Sequence, residues 1–161
     1  MPMMVKLMEG ICKRGDETAP NEMLQKLIFG GYNGKIASPR TPSDWLTRDE
    51  AIVDAYVAHP LCGFTPSSGL FRDMMTGICY IQQPRNLAAM KKELPVFFIA
   101  GAEDPVGSFG KGVTQACKAF RKAGMTDVSI TLYPQCRHEI LNELCREQVY
   151  RDCLTWLEAK L

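Results

Sequence analysis

A chain of 161 residues with 46% hydrophobic and 23% charged residues has the length of one ordinary domain and is too apolar for a disordered tail. Nineteen basic residues against eighteen acidic ones leave a formal charge of +1. No long-range field then favours a polyanion, and nucleic acid is not an expected partner.

The opening MPMMVKLMEGICKRG is apolar in patches, but Lys6, Glu9, Lys13 and Arg14 interrupt it before a secretory core or a membrane span could form. A cytoplasmic protein without a transmembrane segment is expected. PNEMLQKLIFGG follows, with Met23, Leu24, Leu27 and Ile28 at helical spacing and a stop at Gly30-Gly31. RTPSDWL is a turn-rich connection. Thr47-Arg48-Asp49-Glu50 has the T-x-x-E form of a capping box, ahead of Ile52, Val53, Tyr56 and Val57 on one helical face. That helix is expected to end before Pro60. CGFTPSSG is a loop by its Gly, Pro and Ser content, and LFRDMMTGICYI returns to helical spacing. No sheet is visible up to about residue 90.

The period then changes. LPVFFIAG, residues 94–101, is a wholly apolar run bounded by Pro95 and Gly101, the mark of a strand buried on both faces. GKGVTQACKAFRKAG places Val113, Ala116, Cys117 and Phe120 on one helical face and stops at Gly124. In DVSITLYP, Val128, Ile130 and Leu132 alternate with Ser129, Thr131 and Tyr133. Strand, helix and strand make a βαβ unit with parallel strands and a right-handed crossover. A last helix carries Val149, Cys153, Trp156 and Leu157, with Glu147 and Arg151 spaced for an i, i+4 pair.

In a parallel α/β sheet, functional groups collect beyond the carboxyl ends of the strands. Asp104, in GAEDPVG, follows the first strand, and His138, in QCRHEILNE, follows the second. Parallel neighbouring strands bring both loops to one edge, where the carboxylate would orient the imidazole and leave its other nitrogen to take a proton from a nucleophile. Taken singly, each residue has a plainer reading: an Asp-Pro turn and a structural histidine. Their joint placement favours the catalytic pair. A metal would have to draw on His59 with Cys62 and Cys136 with His138, and neither spacing fits a structural zinc site. No metal or cofactor is expected. The seven cysteines, 12, 62, 79, 117, 136, 145 and 153, are odd in number and scattered without a C-x-x-C. They are expected to be reduced thiols, mostly small core residues.

The stretches LPVFFIAGAEDPVGSFGKGV, SITLYPQCRHEILNE and VYRDCLTWL resemble the C-terminal part of the α/β-hydrolase fold, in the branch of monoacylglycerol-lipase-like or lysophospholipase-like serine hydrolases, the serine aminopeptidase S33-type domain. In that branch the acid follows a G-x-x-D-P-V-G turn and the base lies in R-H-E-x-L-N-E, which the resemblance carries to Asp104 and His138. LIFGGYNGKI, RTPSDWLTRDEAIVDAYVAHPLCGF and GLFRDMM are similar to the helical cap this branch inserts over its active site. The resemblance thus implies a helical cap over residues 1–75 and the C-terminal part of the core over 76–161. It implies a lipid-like ester substrate, with Leu27, Ile28, Phe29, Phe64, Leu70 and Phe71 as candidate acyl-pocket residues. By the plainer reading these six are cap core.

The family's nucleophile is a serine in a G-x-S-x-G elbow, upstream of acid and base, with an oxyanion hole built from backbone N–H groups beside it. Neither is in these residues. Gly107-Ser108-Phe109-Gly110 lacks the first glycine and follows the acid, and Ser67 and Ser68 have no strand before them. Strand 94–101 would normally pair with a strand from the other half, so its edge is expected to be bare and to bind a second copy or a complementing N-terminal chain. The alternative function is non-catalytic: a hydrolase fragment acting as a binding or oligomerising module.

Overall fold

A computed structural model describes residues 2–161. They form two compact units that interleave along the chain. One comprises the residues up to Gly31 together with Phe64–Met90, and the other Tyr32–Gly63 together with Lys91–Leu161. These units differ from a division at residue 75: segment 32–63 belongs with the strands, and 76–90 with the N-terminal helices.

The first unit holds α1 (Pro2–Cys12), α2 (Glu22–Phe29), α4 (Ser68–Ile81) and α5 (Pro84–Ala88). No element was evident from the sequence in the opening stretch, yet it forms α1. Met8 is fully buried there with Leu24 and Phe71, and Ile11 packs beside it. Lys6 and Glu9 lie exposed on the same helix, so the charges that break a hydrophobic span are the polar face of an amphipathic helix. Asn21 caps α2, its Oδ1 accepting from the Leu24 N–H at 2.9 Å, while its Nδ2 donates to Ser68 Oγ at 2.8 Å. Only one edge of α2 is covered: Leu24 is buried and Ile28 packs on the cluster, whereas Met23 and Leu27 are exposed. Ser67 caps α4 by accepting from the Leu70 N–H, and Pro84 occupies the start of α5, where its missing N–H costs nothing.

The second unit holds α3 (Glu50–Ala58), β1 (Val96–Gly101), α6 (Lys111–Lys122), β2 (Val128–Tyr133), a 3₁₀ turn (Ile140–Asn142) and α7 (Arg146–Glu158). Helix α3 ends before Pro60, as the sequence requires, but its cap is not Thr47. Asp49 is the N-cap, accepting from the Ala51 and Ile52 N–H groups. Thr47 instead donates to the Asn142 carbonyl at 3.1 Å and accepts from the Asp49 N–H. A distant partner has taken its hydroxyl, and the shorter carboxylate nearer the helix takes over the cap.

The strands pair in parallel, in register from Val96 with Val128 to Gly101 with Tyr133. Alternate residues of β1 meet helices on opposite faces. Phe97 stacks on Trp156 of α7 with centroids 5.4 Å apart, and Phe98 meets Phe120 of α6 edge-on at 5.0 Å. Burial is less complete than the apolar run implies: Val96–Ile99 are half-buried and Leu94 lies exposed outside the strand. Among the described residues β1 has β2 as its one neighbour, so the other edge lacks the cover that a central strand enjoys. Tyr133, Cys136, Ile140 and Val149 form the core under the β2 end, with Ile99, Cys145 and Cys153 against them. On α7, Arg151 donates to Gln148 Oε1 at 3.0 Å rather than to the expected Glu147, a partner one residue closer on the same face.

Phe71→Ala should destabilise the chain by about 3–5 kcal/mol, since it empties a fully enclosed site, and Leu27→Ala by no more than about 0.5 kcal/mol, as for an exposed position. Urea midpoints of the two variants check this, and comparable losses would contradict the assignment of Phe71 rather than Leu27 to the core.

Candidate active site

The turn after β1 carries Asp104 and the turn after β2 carries His138, and the two turns are joined backbone to backbone. The Ala102 N–H donates to the Tyr133 carbonyl at 2.9 Å, and the Glu103 N–H donates to the Cys136 carbonyl at 2.9 Å. Gly101 makes this crossing possible: a Cβ there would overlap the carbonyl oxygens of Cys136 and Arg137. The acid turn then closes on itself. The Phe109 N–H reaches the Asp104 carbonyl at 2.8 Å, and Ser108, Phe109 and Gly110 all adopt left-handed backbone at φ 52, 55 and 79°. Two non-glycine residues held there mark a locally strained turn.

This geometry brings together the two residues singled out from the sequence. His138 Nδ1 lies 3.1 Å from Asp104 Oδ1. The same carboxylate oxygen accepts from the Val106 N–H at 2.8 Å, so the acid is held by its own turn. The Asp104 side chain is 8% exposed and that of His138 37%, a shielded anion beside an imidazole that remains accessible. The hydrogen bond from Asp104 raises the His138 pKa above its ordinary 6.5, against the opposing effect of burial, with the charges of Asp104 and Glu139 adding to the rise. Among the described residues no serine hydroxyl is hydrogen-bonded to His138.

Segment 32–63 supplies the rest of the surroundings. The Trp45 ring lies 5.2 Å from the imidazole, centroid to centroid, and Tyr32 packs edge-on to Trp45 at 5.0 Å. The Tyr32 hydroxyl has its pKa raised by burial and then by the Asp104 charge. The His138 N–H donates to the Trp45 carbonyl at 3.4 Å and the Glu139 N–H to that of Leu46 at 2.7 Å. Arg137 reaches back, its Nη1 donating to the carbonyls of Asp44 and Thr47 at 2.7 and 3.1 Å. A cleft of about 310 Å³ opens here, lined by Tyr32, Lys35, Trp45, Glu103, Phe109 and Arg137 among others. None of these residues was named as a site residue from the sequence. Arg137 lies inside the R-H-E-x-L-N-E motif and Trp45 inside RTPSDWL, and membership of those stretches was the available signal.

Ile28, Phe29 and Phe71 pack in the core of the first unit, with the Phe29 and Phe71 rings 6.1 Å apart, whereas Leu27, Phe64 and Leu70 are exposed there. His59 Nδ1 lies 3.7 Å from Cys62 Sγ, and no group of three metal-type side chains occurs among the described residues. All seven cysteines are free thiols. Burial first, and then the hydrogen bond with Cys145, push the Cys136 thiol up to about 12. Two residues from His138, it is a buried thiol that burial keeps protonated. No helix among the described residues is long and apolar enough to cross a membrane.

A family model described as serine aminopeptidase, S33 matches residues 5–145. Among solved structures, the chain is similar to a highly thermostable carboxyl esterase from Bacillus coagulans in complex with glycerol, with a TM-score of 0.88 at 24% identity over 98% of this chain and 52% of that one. It is similar to a lipase in an open form, with a TM-score of 0.74 at 24% identity over 99% and 51%. A monoacylglycerol lipase from Paleococcus ferrophilus gives a TM-score of 0.58 at 18% identity over 87% and 52%. The chain spans about half the length of these structures. A search among curated proteins gives no significant match.

The His138 titration should have its midpoint above 6.5, and Asp104→Asn should lower it by about one pH unit or more, as read by NMR of the imidazole carbon-bound protons. A folded-state value above the unfolded one means that the pair stabilises the fold fully below about pH 6.5 and less as pH rises through the folded midpoint. An unchanged midpoint in Asp104→Asn would contradict the hydrogen bond.

Proposed function

Because the chain belongs to the serine aminopeptidase S33 family and has part of the α/β-hydrolase fold, we propose that it supplies the acid and base of a serine hydrolase of carboxylic esters. The reading is of monoacylglycerol lipase or lysophospholipase type. Its main support is the 3.1 Å contact of His138 Nδ1 with Asp104 Oδ1 beyond the ends of two parallel strands. Asp104 fixes the imidazole with Nδ1 as donor, so Nε2 takes the proton from a serine hydroxyl as its oxygen attacks the ester carbonyl. His138 then returns that proton to the departing alcohol. In the second half-reaction it deprotonates the water that releases the acid from the acyl-serine.

The serine and the oxyanion hole are contributed by sequence outside these 161 residues, as part of the same polypeptide or of a second one. In keeping with this, the chain spans about half of the esterase and lipase structures it resembles, and β1 has one edge without a strand partner among the described residues. A bare apolar edge favours pairing with another strand. The acyl chain is held by apolar side chains of the first unit: Leu27 of α2, Phe64 of the loop before α4 and Leu70 of α4 at the surface, backed by Ile28, Phe29 and Phe71.

The 161-residue chain alone should show no hydrolysis of p-nitrophenyl esters above buffer and no labelling by a serine-directed phosphonate, since nucleophile and hole are both missing. Stoichiometric labelling would overturn this reading and point to Ser108 or another hydroxyl of this chain. Light scattering should find the isolated chain self-associated through β1, and a monodisperse monomer would count against the bare edge as an assembly surface.

A further inference from the structure

Glu143 is a fully buried carboxylate five residues beyond the base. Its Oε1 accepts from the N–H groups of Arg48 at 3.1 Å and Arg137 at 2.9 Å. Its Oε2 accepts from Arg48 Nε and the Leu144 N–H, both at 3.0 Å. One side chain therefore joins residue 48 to both sides of the histidine turn.

We propose that Glu143 is a positioning residue of the base: its two oxygens fix the 137–144 turn and the 45–48 strip together, and so set the imidazole against Asp104. This rests on the reading of His138 as general base. The Arg137 amide that Glu143 holds immediately precedes His138. The strip it holds through Arg48 includes Trp45 and Leu46, whose carbonyls receive the His138 and Glu139 N–H groups and whose indole lies on the imidazole. Position and ring packing of the base thus converge on one carboxylate.

The chemistry requires both oxygens. A buried carboxylate carries a large desolvation cost, and an apolar side chain could pack the same volume without it. What an apolar side chain does not do is direct three backbone N–H groups and a guanidinium to fixed points. Glutamine retains one acceptor oxygen and turns an N–H pair toward groups that are themselves donors, which forces the turn to move. The Asp104 to His138 contact, at 3.1 Å, is already near the long end of N–H···O geometry, so a small displacement of the turn breaks it.

The test is the His138 midpoint measured by NMR in the 161-residue chain with 13C-labelled histidine, with His59, the one other histidine, as the resonance that must not move. In Glu143→Gln the midpoint should fall by at least about half of the fall produced by Asp104→Asn. Glu143→Asp, which keeps the charge and both oxygens, should recover part of it. Arg48→Gln removes only the guanidinium and should give a smaller fall, which keeps the test available if Glu143→Gln does not fold. A Glu143→Gln or Arg48→Gln protein that unfolds at lower temperature but titrates like the parent would reduce Glu143 to a stabilising role and overturn the proposal. If Asp104→Asn itself leaves the midpoint in place, the reading of the acid and base pair fails instead.

Discussion

The parallel pairing of Val96–Gly101 with Val128–Tyr133 is the constraint from which the rest follows. Parallel strands in register end on the same edge, so the turns that leave them must run side by side. Gly101 lets them come closer than any other residue would, since the carbonyls of Cys136 and Arg137 occupy the space of a side chain. With the backbones crossing there, an aspartate three residues beyond one strand and a histidine five residues beyond the other meet at hydrogen-bond distance. Neither residue has to be carried by a long flexible loop. The strain of left-handed Ser108 and Phe109 falls in the turn that aims the acid.

A second level of order lies in segment 32–63. Its position with the strands rather than with the N-terminal helices gives the base turn a wall, made of backbone carbonyls at Asp44, Trp45, Leu46 and Thr47 and of the Trp45 ring. Polar groups are the connectors here. Arg137 reaches into the segment and Arg48 reaches out of it, and the Glu143 carboxylate receives from both residues. A wall of this kind can set a tautomer and a ring orientation, whereas packing alone mostly sets a volume. The imidazole stays partly open while the Asp104 carboxylate is shielded, which suits the general base proposed above.

Most of the second unit was legible in the sequence because strands, helices and turn glycines all agreed with one topology. The Asp104 and His138 pairing was legible for the same reason: it needs strand order and strand ends, nothing finer. The opening helix was not, because Lys6 and Glu9 were read as interruptions, and only the burial of Met8 against Leu24 and Phe71 shows them to be one face of α1. Thr47 was misread as a cap because its sequence context fits a capping box, while the Asn142 carbonyl that takes its hydroxyl is 95 residues away. Glu143 closes the R-H-E-x-L-N-E motif that carried the resemblance, but its role was hidden, since the four donors that converge on it are set by the folded backbone and by Arg48, 95 residues away. Partners distant in the chain are what local patterns do not encode.

The most direct test of the account is the rate of monoacylglycerol hydrolysis by a polypeptide in which a G-x-S-x-G half precedes these residues, compared with its His138→Gln and Asp104→Asn variants. The account predicts that kcat falls by about 10⁶ without the imidazole and by about 10⁴ without the carboxylate, with KM little changed in both. Activity retained within tenfold in His138→Gln would contradict it.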